Sequence, residues 1–130
     1  MNKTLHTYHY KGLLTLESGR TIQDFKMAYT TMGEISSNKD NVVWIFHAMT
    51  ANSDPSDWWA GMVGEGKFFD PCRYFIICVN MPGSYYGSVN PLDNDEETGM
   101  PFLQDFPFFT PMDMARSYEQ LRLSLGIAEI

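Results

Sequence analysis

The sequence holds only two cysteines, Cys72 and Cys78, and no C-x-x-C pair. That spacing excludes the usual thiol redox motif and the usual zinc knuckle. Cys78 falls inside the apolar run Tyr74–Val79, so a buried, reduced thiol is expected. Basic residues are also scarce, nine Lys and Arg against sixteen Asp and Glu, for a net charge of −7. The nine are scattered rather than clustered, which argues against nucleic acid as a partner. No apolar run approaches the roughly 18 residues of a membrane span, and residues 1–11 lack the apolar core of a signal peptide. A soluble cytoplasmic protein with no membrane partner is expected. No G-x-S-x-G, G-x-G-x-x-G or G-x-x-x-x-G-K-[ST] occurs, which removes the nucleophile elbow and both common phosphate loops. The acidic stretch Asp93-Asn94-Asp95-Glu96-Glu97 lacks the spacing of a calcium loop, and no metal site is expected.

What is present is enough apolar and aromatic material for a sizeable core, with hydrophobic residues at 44% and aromatics at 15%. Leu13–Leu16 is a short apolar segment followed by the turn signal Glu17-Ser18-Gly19-Arg20. Phe25–Met32 alternates, with Phe25, Met27 and Tyr29 on one side and Lys26 and Thr30 on the other. This reads as a strand with one wetter face, paired antiparallel with the first across Gly19. Val42–Phe46 (VVWIF) and Tyr74–Val79 (YFIICV) are apolar throughout, the pattern of parallel strands covered on both faces. Residues 47–73 between them suffice for a crossover, with Trp58–Val63 as a short helix.

The spacing predicts a helix from Thr110 to Leu125. Thr110 suits the N-cap, Pro111 the first helical position, and Asp113 the positive end of the helix dipole. Met114, Tyr118, Leu121 and Leu125 form one apolar stripe, and Gly126 suits the position just past the end. Ile127–Ile130 reads as the start of a further strand. A sheet interrupted there leaves an unpaired edge, so the chain reads as part of a larger domain.

In open α/β sheets ligands bind at the carboxyl ends of the strands. Two loops emerge there: His47-Ala48-Met49-Thr50-Ala51-Asn52 and Asn80-Met81-Pro82-Gly83-Ser84-Tyr85-Tyr86-Gly87-Ser88. The first can aim backbone N–H groups at a developing alkoxide, or it can be an ordinary turn with His47 bonded to nearby backbone. A triad of His47, Asp57 and Ser84 has no support in the spacing.

Several longer strings carry a family resemblance: AYTTMG (28–33), HAMTA (47–51), WWAGMVGEGKFFD (58–70), RYFIICVN (73–80), GSYYGS (83–88) and DFPFFTPMDMARS (105–117). In order and spacing they resemble the N-terminal region of homoserine O-acetyltransferases. The resemblance implies the N-terminal part of an α/β-hydrolase fold: an antiparallel opening hairpin leading into a parallel sheet with flanking helices. Residues 1–130 would then be one portion of a single domain, without the lid and the C-terminal half. It further implies ping-pong transfer of acetyl from acetyl-CoA, a co-substrate rather than a bound cofactor, through an acyl-serine to homoserine, in methionine biosynthesis. In that family a HALTG-like loop supplies one oxyanion N–H. The matching donor here is the Met49 amide, with Ala48 and Thr50 in support.

The family's Gly-Gly-Cys-Tyr-Gly-Ser-Thr-Gly run is replaced by Gly83-Ser84-Tyr85-Tyr86-Gly87-Ser88-Val89-Asn90. The serine, aspartate and histidine of the triad map beyond Ile130, so the chain alone is expected to be inactive. Homoserine or serine O-succinyltransferases of the same fold, an esterase-like hydrolase and a non-catalytic self-associating module are the alternatives. A homo-oligomer is expected from the unpaired edge.

Overall fold

The computed structural model describes residues 2–130. Six strands form: β1 (Lys3–His9), β2 (Leu13–Thr15), β3 (Thr21–Gln23), β4 (Lys26–Met32), β5 (Val42–Ile45) and β6 (Phe75–Val79). Helices α1 (Pro55–Trp58) and α2 (Pro111–Ser124) and a short 3₁₀ turn at Leu103–Asp105 complete the elements. The main sheet runs β1-β4-β6-β5, and β2-β3 make a separate two-stranded ribbon.

The expected parallel pair is present: β5 and β6 run side by side, with Val42 opposite Phe75 and Ile45 opposite Cys78. Both faces of β6 are covered. Ile77 and Val79 join a core with Met27, Tyr29, Phe109, Tyr118, Leu121 and Ile127, while Ile76 and Cys78 pack with Met32, Ile45 and Val63. This two-sided burial is why the strand is apolar throughout. Among the described residues β5 pairs only with β6, so its second edge is open.

The opening hairpin differs from expectation. The Gly19 turn joins β2 to β3, with Leu13 opposite Gln23, not to the longer strand that follows. Asp24 breaks the run: it takes φ +48, and its carboxylate accepts from the Gly12 amide at 2.7 Å. The chain thereby turns before β4, which pairs instead with β1, Lys3 opposite Met32 and His9 opposite Lys26. β1 is a mostly exposed edge strand whose sequence, KTLHTYH, carries no long apolar signal. Its inward His6 stacks on Tyr29, ring centroids 4.9 Å apart, and its Nε2 lies 2.8 Å from the Thr31 hydroxyl. The wetter face expected for β4 is absent, because Thr30 and Thr31 are buried between neighbours.

Helix α1 begins earlier than Trp58–Val63. Pro55 presets the first helical φ, and the helix ends by Trp59, whose φ of −126° is not helical. Trp58 is held by its indole N–H, which donates to the Asn52 carbonyl at 2.8 Å.

Helix α2 matches its sequence. Thr110 accepts from the Asp113 amide at 3.1 Å and the Asp113 carboxylate accepts from the Thr110 amide at 3.0 Å, a reciprocal capping box. Asp113 also accepts from the Glu17 amide at 2.9 Å, tying the helix to the β2–β3 turn. Burial opposes ionisation of Asp113, but these N–H donors outweigh it and lower its pKa. Gly126, at φ +67, ends the helix in the left-handed region.

Ile127–Ile130 forms no ladder. Ile127 is buried in the core, and the carbonyls of Ile127 and Ala128 accept from Arg122 rather than from a strand. No helix among the described residues is long and apolar enough to cross a membrane.

Candidate functional site

Because β5 and β6 are parallel neighbours, the loops that follow them meet at one end of the sheet. His47 is the joint between them and is 3% exposed. Its Nε2 accepts the Met81 N–H at 3.0 Å, and its Nδ1 lies 2.7 Å from the Ala48 carbonyl oxygen. A backbone N–H can only donate, so Nε2 must present a lone pair and Nδ1 carries the proton. Both ring nitrogens are thereby engaged by backbone, and neither by Ser84 or Asp57. The ordinary-turn reading of His47 is therefore correct for its side chain.

The Ala48 carbonyl accepts a second bond, from the Ala51 amide at 2.9 Å. In a trans peptide the C=O and the following N–H point in opposite directions. Fixing the Ala48 oxygen from two sides thus turns the Met49 N–H away from the loop's interior. That N–H donates to no acceptor among the described residues. Ala48, Met49 and Thr50 are all exposed, Met49 at 89%.

Met49 lines an apolar cavity of about 830 Å³ with Phe46, Met81–Ser84, Phe106–Phe109 and the first two turns of α2, through Tyr118. Phe106, Phe109 and Tyr118 are anchored in the core or against it, so one wall is rigid. Phe46 and Phe108 are 62% and 73% exposed, so the other is open. Within this cavity wall the Ser84 hydroxyl is buried without a partner, and so is the Trp44 indole nitrogen on the neighbouring strand. The Gly83–Ser88 loop matches no phosphate motif and offers the cavity no cation.

A polar network that sequence reasoning missed holds the two loops from beneath. Asn80, 1% exposed at the end of β6, accepts the Ser53 N–H at 2.8 Å. Its side-chain amide donates to the Ser53 hydroxyl and to the Tyr86 carbonyl, each at 3.0 Å. The Ser53 hydroxyl pairs with Thr30 at 2.7 Å. The Ser88 hydroxyl donates to the Asn80 carbonyl at 2.6 Å and accepts from the Ala28 amide at 3.0 Å. Every member is satisfied, the condition under which a buried network rigidifies rather than destabilises. The only sequence signal was an asparagine closing an otherwise apolar strand.

Beside this network Asp54 meets Lys3 at 2.8 Å. Burial opposes its ionisation, but Lys3 and the Ser56 hydroxyl prevail and lower its pKa. The Cys78 thiol, behind the loops, is pushed up to about 12, chiefly by burial and further by the Asp54 charge. It is no nucleophile at neutral pH. No group of three or more His, Cys, Asp or Glu among the described residues could hold a metal ion. The acidic stretch serves its own turns: Asp93 accepts from the Asn90 amide and Asp95 from the Glu97 amide.

No protein-family model matches the chain. It is 44% identical over 127 residues to the homoserine O-acetyltransferase of Cyclobacterium marinum, covering 98% of this chain and 36% of that protein. The Saccharomyces cerevisiae homoserine O-acetyltransferase is also 44% identical, over 90% of this chain and 24% of its own length. Among solved structures, homoserine O-acetyltransferase from Bacillus anthracis superposes with a TM-score of 0.84 at 30% identity, covering all of this chain and 39% of that one. Esterase E22 shares the fold alone, with a TM-score of 0.86 at 24% identity over 99% of this chain and 39% of that one. The chain thus spans from about a quarter to two fifths of the length of these relatives. Over that part of their length the chain is similar to homoserine O-acetyltransferases, and its sheet is the corresponding part of an α/β-hydrolase fold.

Proposed function

We propose that this chain supplies the oxyanion-binding side of an O-acyltransferase site that moves an acetyl group from acetyl-CoA to the hydroxyl of L-homoserine, in cytoplasmic methionine biosynthesis. The observation that carries the reading is the Ala48–Met49 peptide. Its carbonyl is tied from two sides, and its N–H is left without a protein acceptor beside a large apolar cavity. In this reaction a serine oxygen adds to the thioester carbonyl, the carbonyl oxygen takes up negative charge, and the CoA thiolate leaves. The homoserine hydroxyl then adds to the acyl-serine, passes through a second oxyanion, and releases the ester and the serine. Both oxyanions need preorganised donors, and the Met49 amide is one of them. The serine and its acid–base partners lie outside residues 1–130 in this reading, so the chain alone is inert.

Two experiments test it. The 130-residue chain incubated with acetyl-CoA and homoserine should release no CoA above background. Joined to the remaining two thirds of the Cyclobacterium marinum relative, it should restore transfer. In that chimera Met49→Pro, which deletes the N–H, should lower kcat by about 100- to 1000-fold, the usual worth of one oxyanion donor. Transfer that survives the substitution overturns the assignment. Succinyl-CoA in place of acetyl-CoA checks the alternative donor. Ester hydrolysis without homoserine checks the second reading, an esterase-like hydrolase of the same fold. We further propose that the open edge of β5 drives self-association of the isolated chain.

A further inference from the structure

We propose that His47 is a positioning residue, whose ring, protonated at Nδ1 and unprotonated at Nε2, sets the direction of the Met49 N–H. The proposal rests on the oxyanion reading above. Met81 N–H donates to Nε2 at 3.0 Å, which assigns the proton to Nδ1, and Nδ1 in turn donates to the Ala48 oxygen at 2.7 Å. With the Ala51 amide at 2.9 Å, the Ala48 oxygen has both lone pairs engaged. Rotating the Ala48–Met49 peptide plane would break both bonds together and strip the Nδ1 proton of its acceptor in a ring that is only 3% exposed. The peptide is therefore locked before any ligand arrives, and its N–H is held opposite to its carbonyl.

The same ring ties this orientation to the second loop. Met81 opens the Met81–Ser84 segment that lines the other side of the cavity. One imidazole thus sets the spacing between the two walls as well as the plane of the donor. A ring protonated at Nε2 alone would set a donor against the Met81 N–H and leave Nδ1 with no proton for the Ala48 oxygen, releasing both constraints. The geometry gives His47 no part in proton transfer, since neither nitrogen faces the cavity free.

Two substitutions separate the two bonds. The side-chain amide nitrogen of His47→Asn occupies the place of Nδ1, keeping the bond to Ala48 and losing Met81. The carboxamide oxygen of His47→Gln reaches the place of Nε2, keeping Met81 and losing Ala48. The 15N spectrum of the unaltered chain should show a pyridine-like Nε2, a pyrrole-like Nδ1, and a scalar coupling across the hydrogen bond from the Met81 amide nitrogen to Nε2. His47→Asn should leave the Met49 amide resonance in place while Met81 exchanges with solvent at least about tenfold faster. His47→Gln should do the reverse, protecting Met81 and moving the Met49 resonance.

In the chimera His47→Gln should lower kcat about 100-fold with KM unchanged, and His47→Asn should recover most of that loss. A proton on Nε2, or a Met49 resonance indifferent to His47→Gln, overturns the positioning role. Should that occur while Met49→Pro still lowers kcat about 100- to 1000-fold, the oxyanion reading stands without it. Should Met49→Pro be harmless, both fall.

Discussion

Replacing Asn80 by alanine tests whether the buried network really joins the two loops. The side chain makes three hydrogen bonds, one from the Ser53 amide at 2.8 Å and two to the Ser53 hydroxyl and the Tyr86 carbonyl at 3.0 Å. Truncation leaves the Ser53 N–H and the Tyr86 C=O without partners, whereas the Ser53 hydroxyl keeps Thr30. Orphaned buried groups cost about 1–3 kcal/mol each, or about 2–6 kcal/mol for the pair. An open cavity of about 380 Å³ borders Ser53, Asn80 and Tyr86, so water can reach the vacated space. That places the loss in the lower half of the range, about 2–3 kcal/mol.

Urea unfolding followed by tryptophan fluorescence measures it. With a slope of about 1.5 kcal/mol per molar, the midpoint should fall by about 1.3–2 M with the slope unchanged. Ser84→Ala is the internal control, because its hydroxyl is buried without a partner, and its midpoint should stay or rise slightly. An Asn80→Ala midpoint within about 0.3 M of the parent would refute the reasoning, since buried orphans cannot be that cheap unless the network is absent.

Other consequences follow from the same structure. Leu121→Ala empties a fully buried position under the sheet and should cost about 2–5 kcal/mol, read from the same urea curves. Gly33→Ala should destabilise severely, because at φ +79 a Cβ would lie 2.3 Å from the carbonyl oxygens of both Pro71 and Tyr74; a soluble variant with an unchanged midpoint would contradict this. Asp113 has its pKa lowered in the folded state, so its contribution is present above the unfolded value and is lost as acid protonates the folded carboxylate. Asp113→Asn should therefore lose stability at pH 7, and the gap to the parent should close at strongly acidic pH in thermal melts. A thiol reagent at pH 8 should label exposed Cys72 and spare Cys78 until urea is added. Static light scattering should find the isolated chain associated; a strict monomer would count against pairing at the β5 edge.

Local chemistry was legible in the sequence wherever one residue type determines one geometry. Thr110, Pro111, Asp113 and Gly126 announced both ends of α2, because capping and left-handed backbone are decided within a few residues. The unbroken apolar runs announced β5 and β6 as parallel neighbours, since only two-sided burial tolerates them. Pairing was not legible. On one edge β4 pairs with β6 and on the other with β1, a polar strand separated from it in sequence by the β2–β3 ribbon, and strand partners are chosen by which edge the rest of the fold leaves open.

The site divided in the same way. Its place at the strand ends follows from sheet topology, and the HAMTA loop could be named from residues alone. The direction of the Met49 amide depends on a bond between loops 34 residues apart, His47 to Met81, and on Asn80 bracing Ser53 across 27. Such bonds leave no periodic trace in a sequence. Only the tertiary structure, by closing those distances to about 3 Å, turned a small-residue turn into an oriented donor.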